Sequence, residues 1–413
     1  MMEFFEKYKK IFLVIIFVLF VFFFGYLLYY FFFRTPPPPP VVPPEEPPIT
    51  GEFPISPPGV PQIIDPTDPS AFPIEVPEPT GIPASPIARG GLTSTTQLNS
   101  VASLGVSLSG DGKSVQYYDK NDGKFYRVSK DGQITPLTDR IFHEVENIVW
   151  APDREKAVLE YPDGSNIVYN FKTEEQTTLP KHWKDFDFSP DSEKIVTKSI
   201  GLDVENRWLA ISNADGSNMR AIAQMGANED IVYPSWSPNN QIAAMYIKGV
   251  DYNNQEVFFV GLNQENFKST IVHGRGFEHQ WSPQGDRLLY SVYSSDDDMK
   301  PRLWTVNAHG ETIGSNRKSF NVNTWASKCS FADNRYLYCG VPKELEEGAG
   351  IFKEMALRTT DDLYRIDTQT GLKSLVAIPD GNYNISNPII SDDQNTLFFT
   401  DEKTKTIHKI ELK

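Results

Sequence analysis

Histidine and carboxylate side chains could support metal chemistry in this chain, but their spacing argues against a metal centre. The histidines form neither a His-x-His pair nor a His-Glu-x-x-His sequence, the spacings that bring two imidazoles to one zinc ion. The acidic stretch at residues 296–298 lacks the alternating ligands and the closing Glu of a calcium loop. We therefore expect neither a metal nor a cofactor. The histidines are His143, His182, His273, His279, His309 and His408.

Four residues provide the best case for an enzyme. Arg275, Glu278 and His279 lie close together in the sequence, and with Asp185 they could supply an acid, a base and a charge-stabilising group for cleavage of a polysaccharide. No Gly-x-Ser-x-Gly elbow, P-loop or dinucleotide fingerprint accompanies them. A polysaccharide lyase or hydrolase is therefore an alternative hypothesis, and the sequence favours a non-enzymatic role.

The chain contains two cysteines, Cys329 and Cys339. Cys329 enters a predicted turn and Cys339 ends the strand that follows it, so the two side chains should face each other or be diagonal neighbours. Outside the cell such a pair can form a disulfide. A pair of buried thiols is the other interpretation, and the sequence leaves both open.

A short turn sequence repeats from residue 91 onward and indicates how these residues are positioned. Each copy follows an aromatic or apolar residue and continues with Pro, Asp, Asn or Gly at the positions that close a tight hairpin. The copies recur at intervals mostly near the ~40–45 residues of a four-stranded propeller blade. The turn positions are Ser109, Ala151, Ser189, Ser237, Ser282, Ser330 and Ser391.

Short apolar strands follow the turns, and the two ends of the repeat region complement each other. The last copy ends without a fourth strand, whereas residues 93–98 resemble an outer strand that has no blade of its own. We expect this amino-terminal strand to complete the last blade and close the ring. The sequence thus predicts an all-β fold, a seven-bladed β-propeller over residues 91–413, with six blades as the alternative.

The turn sequences resemble a known repeat family. Phe188-Ser189-Pro190-Asp191 and Trp281-Ser282-Pro283-Gln284-Gly285 are similar to the turns of TolB-type, WD40-like propeller repeats, and the resemblance covers about residues 91–413. It implies an extracytoplasmic or envelope propeller of a kind that commonly mediates protein contacts. TolB itself has an amino-terminal globular domain where this chain has an apolar segment and a proline-rich stretch, so a role in TolB's own assembly is not implied.

Propeller geometry predicts where a functional site would lie. Two kinds of loop lie on the same rim of the central channel. One kind connects the outer strand of a blade to the inner strand of the next blade, and the other connects the second and third strands within a blade. We expect this rim to bind a protein or a glycan, with the blade-six insertion at residues 342–361 forming a short helix over it as a lid or partner contact. The rim candidates are His143, His182, Trp183, Asp185, Glu229, Asp230, Tyr233, Arg275, Glu278, His279 and Trp325.

The amino-terminal region predicts a membrane anchor. Residues 11–33 contain no charged side chain, and at about 1.5 Å per residue such a helix crosses a hydrocarbon core of about 30 Å. Lys7, Lys9 and Lys10 precede this segment, which places residues 1–10 in the cytoplasm and the propeller outside. No small-residue cleavage site follows, so we expect an uncleaved signal anchor. Residues 34–90 are proline-rich and predict an extended stalk.

The net charge of −15 argues against binding to nucleic acid or to anionic lipid, because both would be repelled. We therefore expect a single-pass membrane protein whose propeller binds another extracytoplasmic protein. A passive envelope spacer or a self-assembling surface protein is a further alternative.

Overall fold

The computed structural model describes residues 17–27 and 83–413. Residues 17–27 form a helix, which falls in a different compact unit from the propeller. Within the described residues, no helix combines the length and hydropathy that crossing a bilayer requires. The remainder of the predicted span at residues 11–33, and most of the predicted stalk at residues 34–90, lie outside the described residues.

Seven β-sheets form a seven-bladed propeller, as the sequence predicts, and the six-bladed alternative is excluded. Two short strands precede the first blade, β1 (Gly91–Thr93) and β2 (Thr96–Gln97). Blades one to four each contain four consecutive antiparallel strands. Their strands are β3 (Ser103–Leu108), β4 (Val115–Asp119), β5 (Lys124–Val128) and β6 (Ile134–Pro136); β7 (Asn147–Trp150), β8 (Lys156–Glu160), β9 (Asn166–Asn170) and β10 (Gln176–Leu179); β11 (Trp183–Phe188), β12 (Lys194–Ile200), β13 (Arg207–Asn213) and β14 (Arg220–Gln224); and β15 (Val232–Pro234), β16 (Ile242–Gly249), β17 (Asn254–Gly261) and β18 (Thr270–His273).

Blades five to seven follow the same plan, and the last two use strands from the amino-terminal side. Their own strands are β19 (Arg275–Trp281), β20 (Arg287–Tyr293), β21 (Pro301–Asn307) and β22 (Lys318–Ser319); β23 (Cys329–Phe331), β24 (Tyr336–Pro342), β25 (Asp361–Asp367) and β26 (Lys373–Pro379); and β27 (Ile385–Ile390), β28 (Thr396–Asp401) and β29 (Ile407–Glu411). Short 3-10 helices occupy Val204–Asn206, Gly226–Ile231, Ser295–Asp297, Gly310–Thr312, Ala326–Lys328 and Lys353–Arg358.

The strand that completes blade seven is β2, which pairs antiparallel with β29. Residues 93–98 do not form one strand, however. Thr93 belongs to β1, which adds a parallel fifth strand to blade six by pairing with β26. The backbone N–H of Thr95 donates to Asp380 at 3.0 Å between the two strands. The amino-terminal segment therefore crosses from blade six to blade seven.

In every blade except blade two the second strand is the most deeply buried, because neighbouring blades pack against both of its faces. All five residues of β4 and all six of β28 are buried. One core cluster joins Tyr118 and Phe125 of blade one to Leu159 of blade two. A strand enclosed on both sides requires apolar residues in succession rather than in alternation, which explains the apolar runs after each turn.

The repeated turns have a common hydrogen-bond pattern, and they define one face of the propeller, which we call the turn face. The hydroxyl of Ser237 donates to Asn239 at 2.7 Å and accepts the N–H of Ile242 at 2.9 Å. Ser391 makes the equivalent bonds to Asp393 and Thr396 at 2.7 and 3.0 Å. Ser, followed two residues later by Asp or Asn, thus satisfies the polar groups of a buried turn.

Neighbouring turns also bind each other. Arg154 of blade two forms two hydrogen bonds to Asp392 of blade seven, at 2.8 and 3.0 Å, and the N–H of Asp392 donates to the carbonyl of Gly112 at 2.9 Å. Asn239 of blade four donates to the carbonyl of Gly285 in blade five at 2.7 Å. The turn face is therefore interlocked between blades.

Cys329 and Cys339 lie directly opposite each other on β23 and β24 and form a disulfide. Both residues are buried in a core cluster that includes Leu303 and Leu337. The bond therefore joins the two innermost strands of blade six within the apolar core.

Candidate functional site

The loops opposite the turn face form the rim face, and the blade-six insertion between β24 and β25 is its largest element. The insertion contains a 3-10 helix at Lys353–Arg358. Its backbone binds the loop between β20 and β21 of blade five, since Gly348 and Gly350 donate to the carbonyls of Asp298 and Met299 at 2.9 and 2.8 Å. A Cβ atom on Gly350 would collide with Tyr293. The insertion therefore lies directly on blade five.

Trp325 is buried beneath the insertion rather than displayed on the rim. Its side chain is 3% exposed and packs with Ala349 and Ala356. The ammonium group of Lys353 lies 5.5 Å from the centre of the Trp325 ring. Trp325 thus supports the insertion and also lines two of the surface depressions that border it, so its assignment as a binding residue stays a prediction.

Glu278 also holds the insertion in place. Its carboxylate accepts a hydrogen bond from Lys353 at 2.7 Å and from Ser327 at 2.7 Å. Lys353 donates in turn to Ser327 at 2.9 Å. The charge of Glu278 is therefore largely committed to linking blade five to the insertion.

A buried ion pair lies below the insertion, and no local sequence pattern indicates it. Lys328 Nζ lies 2.7 Å from Asp361 Oδ2 and donates to Asn384 Oδ1 at 2.6 Å. Asp361 also accepts the N–H of Ile385 at 2.6 Å. Desolvation lowers the pKa of Lys328, and the attraction of the Asp361 carboxylate offsets part of this effect. The side chains of Lys328, Asp361 and Asn384 therefore connect the residue just before β23, the start of β25 and the residue just before β27.

Three surface depressions border the insertion. Two of them, of about 520 and 370 Å³, lie over blades four and five, share Gln255, Gly276 and Ile351, and together form what we call the rim groove. The third, of about 360 Å³, lies toward blades six and seven and is lined by Lys328, Glu354 and other residues. The insertion therefore contributes walls to the depressions on both of its sides.

Four of the predicted rim residues line the rim groove, namely Tyr233, Arg275, Glu278 and Trp325. Arg275 donates to the backbone carbonyls of Asp251 and Tyr252, so its guanidinium is fixed against the β16–β17 loop. The side-chain oxygen of Gln255, which lines both halves of the groove, is buried and accepts no hydrogen bond from the described residues.

His279 is held inside the protein and is not available as a surface base. Its Nε2 lies 2.9 Å from the hydroxyl of Ser235, and its ring stacks on Phe277 with centroids 5.5 Å apart. Desolvation lowers the pKa of His279 to about 4. The imidazole is therefore neutral near pH 7.

The remaining candidates on blades one to four are spread along the rim. Trp183 is 2% exposed and packs in the core with Phe186 and Phe188, and its assignment as a binding residue stays a prediction. Asp185 forms an ion pair with Lys198 at 2.7 Å. Glu229 pairs with Arg207. The exposed candidates are His143, His182, Asp185, Asp230 and Tyr233.

His143 belongs to a separate depression between blades one and two. This depression has a volume of about 660 Å³ and also includes Glu144 and Tyr161. It shares no lining residue with the rim groove. The candidates therefore do not converge on one site.

The structure does not assemble the proposed catalytic set. Glu278 is committed to Lys353 and Ser327, Arg275 to backbone carbonyls and His279 to Ser235. Asp185 belongs to blade three, whereas the other members belong to blade five. Among the described residues, no group of three or more His, Cys, Asp or Glu side chains has the arrangement of a metal site.

Within residues 83–413, most of the large exposed apolar side chains lie on the rim face. Nine of fifteen do so, and the exposed fraction reaches 100% for Leu202 and 74% for Tyr252. Met219 and Leu372 lie instead on loops of the turn-face side. Of the exposed apolar residues on blades three and four, sequence reasoning identified Tyr233. The rim residues concerned are Ile141, Leu202, Val204, Tyr233, Val250, Tyr252, Ile351, Phe352 and Leu357.

Comparisons with known proteins identify the fold. No protein-family model and no curated protein matches the chain. Among solved structures, hydrazine synthase from Kuenenia stuttgartiensis is 12% identical over 76% of this chain and 97% of its own, with a TM-score of 0.51. An oligogalacturonate lyase from Vibrio parahaemolyticus is 13% identical, over 77% and 93% of the two chains, with a TM-score of 0.48.

A third similar structure is the β-propeller domain of Cps50 (Swd1) from Myceliophteria thermophila. It is 11% identical over 77% of this chain and 100% of that domain, with a TM-score of 0.48. At these identities none of the comparisons carries an argument about activity. The chain is a seven-bladed β-propeller.

Proposed function

We propose that this protein is a TolB-type envelope propeller that binds another protein through its rim face. The observation that carries this proposal is the concentration of exposed apolar side chains on that face, beside the rim groove. Contiguous exposed apolar surface is unusual on a protein without partners, and aromatic residues are enriched at the centres of protein interfaces.

The rim groove has the mixed character of a protein-binding surface. Tyr233 and Tyr252 provide aromatic contact area, and Ile351 provides an aliphatic contact between them. Glu278 and Lys353 add polar groups to the groove lining. Rigid aromatic residues and a few directional polar groups are what a hot spot requires.

The enzymatic alternative loses its specific residues. A polysaccharide lyase or hydrolase built on Arg275, Glu278, His279 and Asp185 would need these groups to face one substrate. Each of them has another structural partner instead. The passive-spacer alternative does not account for the exposed apolar residues of the rim.

The membrane location of the protein is also part of this proposal, and it is inferred from the sequence. The uncharged segment at residues 11–33 would anchor the chain, with the propeller outside the cytoplasm. We expect the full chain to remain with membranes after alkaline washing, and a deletion of residues 11–33 to release it. Recovery of the full chain in the soluble fraction would contradict the anchor without affecting the rim proposal.

Site-specific photo-crosslinking in the cells that produce the protein tests the rim proposal. A photoreactive benzoylphenylalanine replaces Phe352 in the full chain. In a matched control it replaces Leu372, which is 73% exposed on the loop between β25 and β26. We expect one discrete protein adduct from position 352 and none from position 372. Equal labelling from both positions, or no adduct from position 352, would refute binding at the rim.

A further inference from the structure

We propose that the protein partner docks on the blade-six insertion with a cationic segment that also carries apolar side chains. This inference depends on the proposed function, because it gives the chemistry of the protein that the rim face would bind. The structural basis is the combination of exposed apolar residues and unbalanced acidic charge on the insertion.

The apolar part of this surface consists of Ile351, Phe352 and Leu357, which are 49%, 61% and 38% exposed. They project from a segment that is fixed from below. Trp325 packs beneath it, and Gly348 and Gly350 bind the backbone of blade five. A partner would therefore meet a preorganised surface and would not have to order it, which favours affinity.

The basic side chains of the insertion are already neutralised by carboxylates. Lys343 Nζ lies 3.3 Å from Asp362 Oδ1, and Lys353 lies 2.7 Å from Glu278. Arg358 lies 3.2 Å from Glu346. None of the three basic groups is left to attract an acidic partner.

The acidic side chains are only partly balanced. Glu344, Glu347 and Glu354 are exposed, and none of them forms an ion pair with another described residue. Asp296 on the adjoining β20–β21 loop of blade five is likewise exposed and outside the ion pairs of the described chain. Two cations without an ion pair in the described residues lie at the margin: Lys403 of blade seven, which donates to the Thr359 carbonyl at 3.4 Å, and Arg275 of blade five, which lines the rim groove beside Ile351. The surface therefore retains an excess of negative charge.

Charge complementarity selects the partner. Lys and Arg side chains can cover apolar surface with their aliphatic stems while their charged ends approach the glutamates. A second copy of this chain would instead bring the same acidic surface and a net charge of −15. Self-association through the insertion is therefore disfavoured, and a basic protein segment is the expected occupant.

The experiment uses the crosslinking strain with benzoylphenylalanine at position 352 of the full chain. The triple variant Glu344→Gln/Glu347→Gln/Glu354→Gln removes the unbalanced charges. The control variant Asp131→Asn/Glu174→Gln/Glu193→Gln removes three exposed acidic charges from loops on the turn-face side. We expect the adduct yield to fall about tenfold in the first variant, as three exposed charge pairs are lost, and to remain at the parental level in the control.

Mass spectrometry of the adduct then identifies the crosslinked segment, which we expect to be rich in Lys or Arg. An adduct whose yield is insensitive to the triple substitution, or whose crosslinked segment is acidic or neutral, would overturn the inference while the proposed function stands. An adduct between two copies of this chain would overturn it as well. Absence of any adduct would instead refute the proposed function itself.

Discussion

The turn face and the rim face are built from the same seven blades but differ in what their residues do. On the turn face, Ser237 and Ser391 repeat the same hydrogen bonds, and Arg154 and Asp392 join blades two and seven across blade one. On the rim face the loops differ in length and carry most of the exposed apolar residues of the propeller. One face therefore maintains the ring, and the other can vary without breaking these contacts.

We expect the largest effect on stability from removing the cation that is buried below the rim insertion. Lys328→Ala leaves the Asp361 carboxylate buried without its partner. We expect the free energy of unfolding to fall by about 3–5 kcal/mol, measured by denaturant unfolding followed by tryptophan fluorescence. The double variant Lys328→Met/Asp361→Leu should recover much of this loss. A single variant as stable as the parent would show that this pair does not support the rim.

Two half-buried ionisable groups should respond to acid in opposite directions. Desolvation raises the pKa of Asp187, whose carboxylate accepts the Trp236 N–H at 2.6 Å, to about 6. It lowers the pKa of His279 to about 4. Protonation of Asp187 thus favours the native state as the pH falls from above 6 to below 3.8. Protonation of the unfolded chain at the position of His279 favours unfolding as the pH falls from about 6.5 to 4.

Single variants separate these two effects, each of which we expect to reach about 2 kcal/mol. Relative to the parent, Asp187→Asn should lose more stability between pH 7 and pH 4, because the gain from Asp187 is removed. His279→Gln should lose less over the same range. Parallel stability–pH curves for the parent and both variants would contradict these assignments.

The disulfide offers a test that is independent of charge. Reduction, or the double variant Cys329→Ser/Cys339→Ser, opens a link with a sequence separation of 10 within blade six. We expect a loss of about 2 kcal/mol in the chain-entropy description, measured as the difference in unfolding midpoint with and without reductant. The double variant should show no further change on addition of reductant, which serves as its control.

The smallest effect compares one substitution on both faces. Ser282→Ala removes a buried hydroxyl that donates to Asp286 and accepts the N–H of Arg287, and we expect a loss of about 1–2 kcal/mol. Ser327→Ala on the rim removes an exposed hydroxyl bound to Glu278, and the loss should be within about 0.5 kcal/mol. Equal losses in the free energy of unfolding, measured by denaturant unfolding, would show that the two faces contribute equally to stability.

The propeller could be predicted from the sequence because each turn is specified locally. The Ser and Asp side chains form their hydrogen bonds to groups within five residues of the turn. The same residue types therefore recur at the turns of successive blades. The seven blades follow from counting these turns. The parallel pairing of β1 with β26 could not be read in this way, because blade six already has four strands of its own and no gap in the repeats calls for a fifth.

The site was less predictable than the fold because burial on the rim depends on distant segments. Trp325 is of a residue type that is common in binding sites, but Ala349 and Ala356 of the insertion pack against it. Lys328 and Asp361 become partners only when blade six is assembled. Loop position could identify Tyr233 and Arg275 as groove residues, whereas nothing near Gln255 in the sequence marks its free oxygen.

The entry of the chain into the propeller has a mechanical consequence. Ala88 donates to the Glu411 carbonyl, β1 pairs with β26, and β2 pairs with β29. Tension applied to the chain before residue 83 would therefore reach blades six and seven through separate ladders. The load would fall on the seam where the ring closes, and several hydrogen bonds would have to shear before the seam could open.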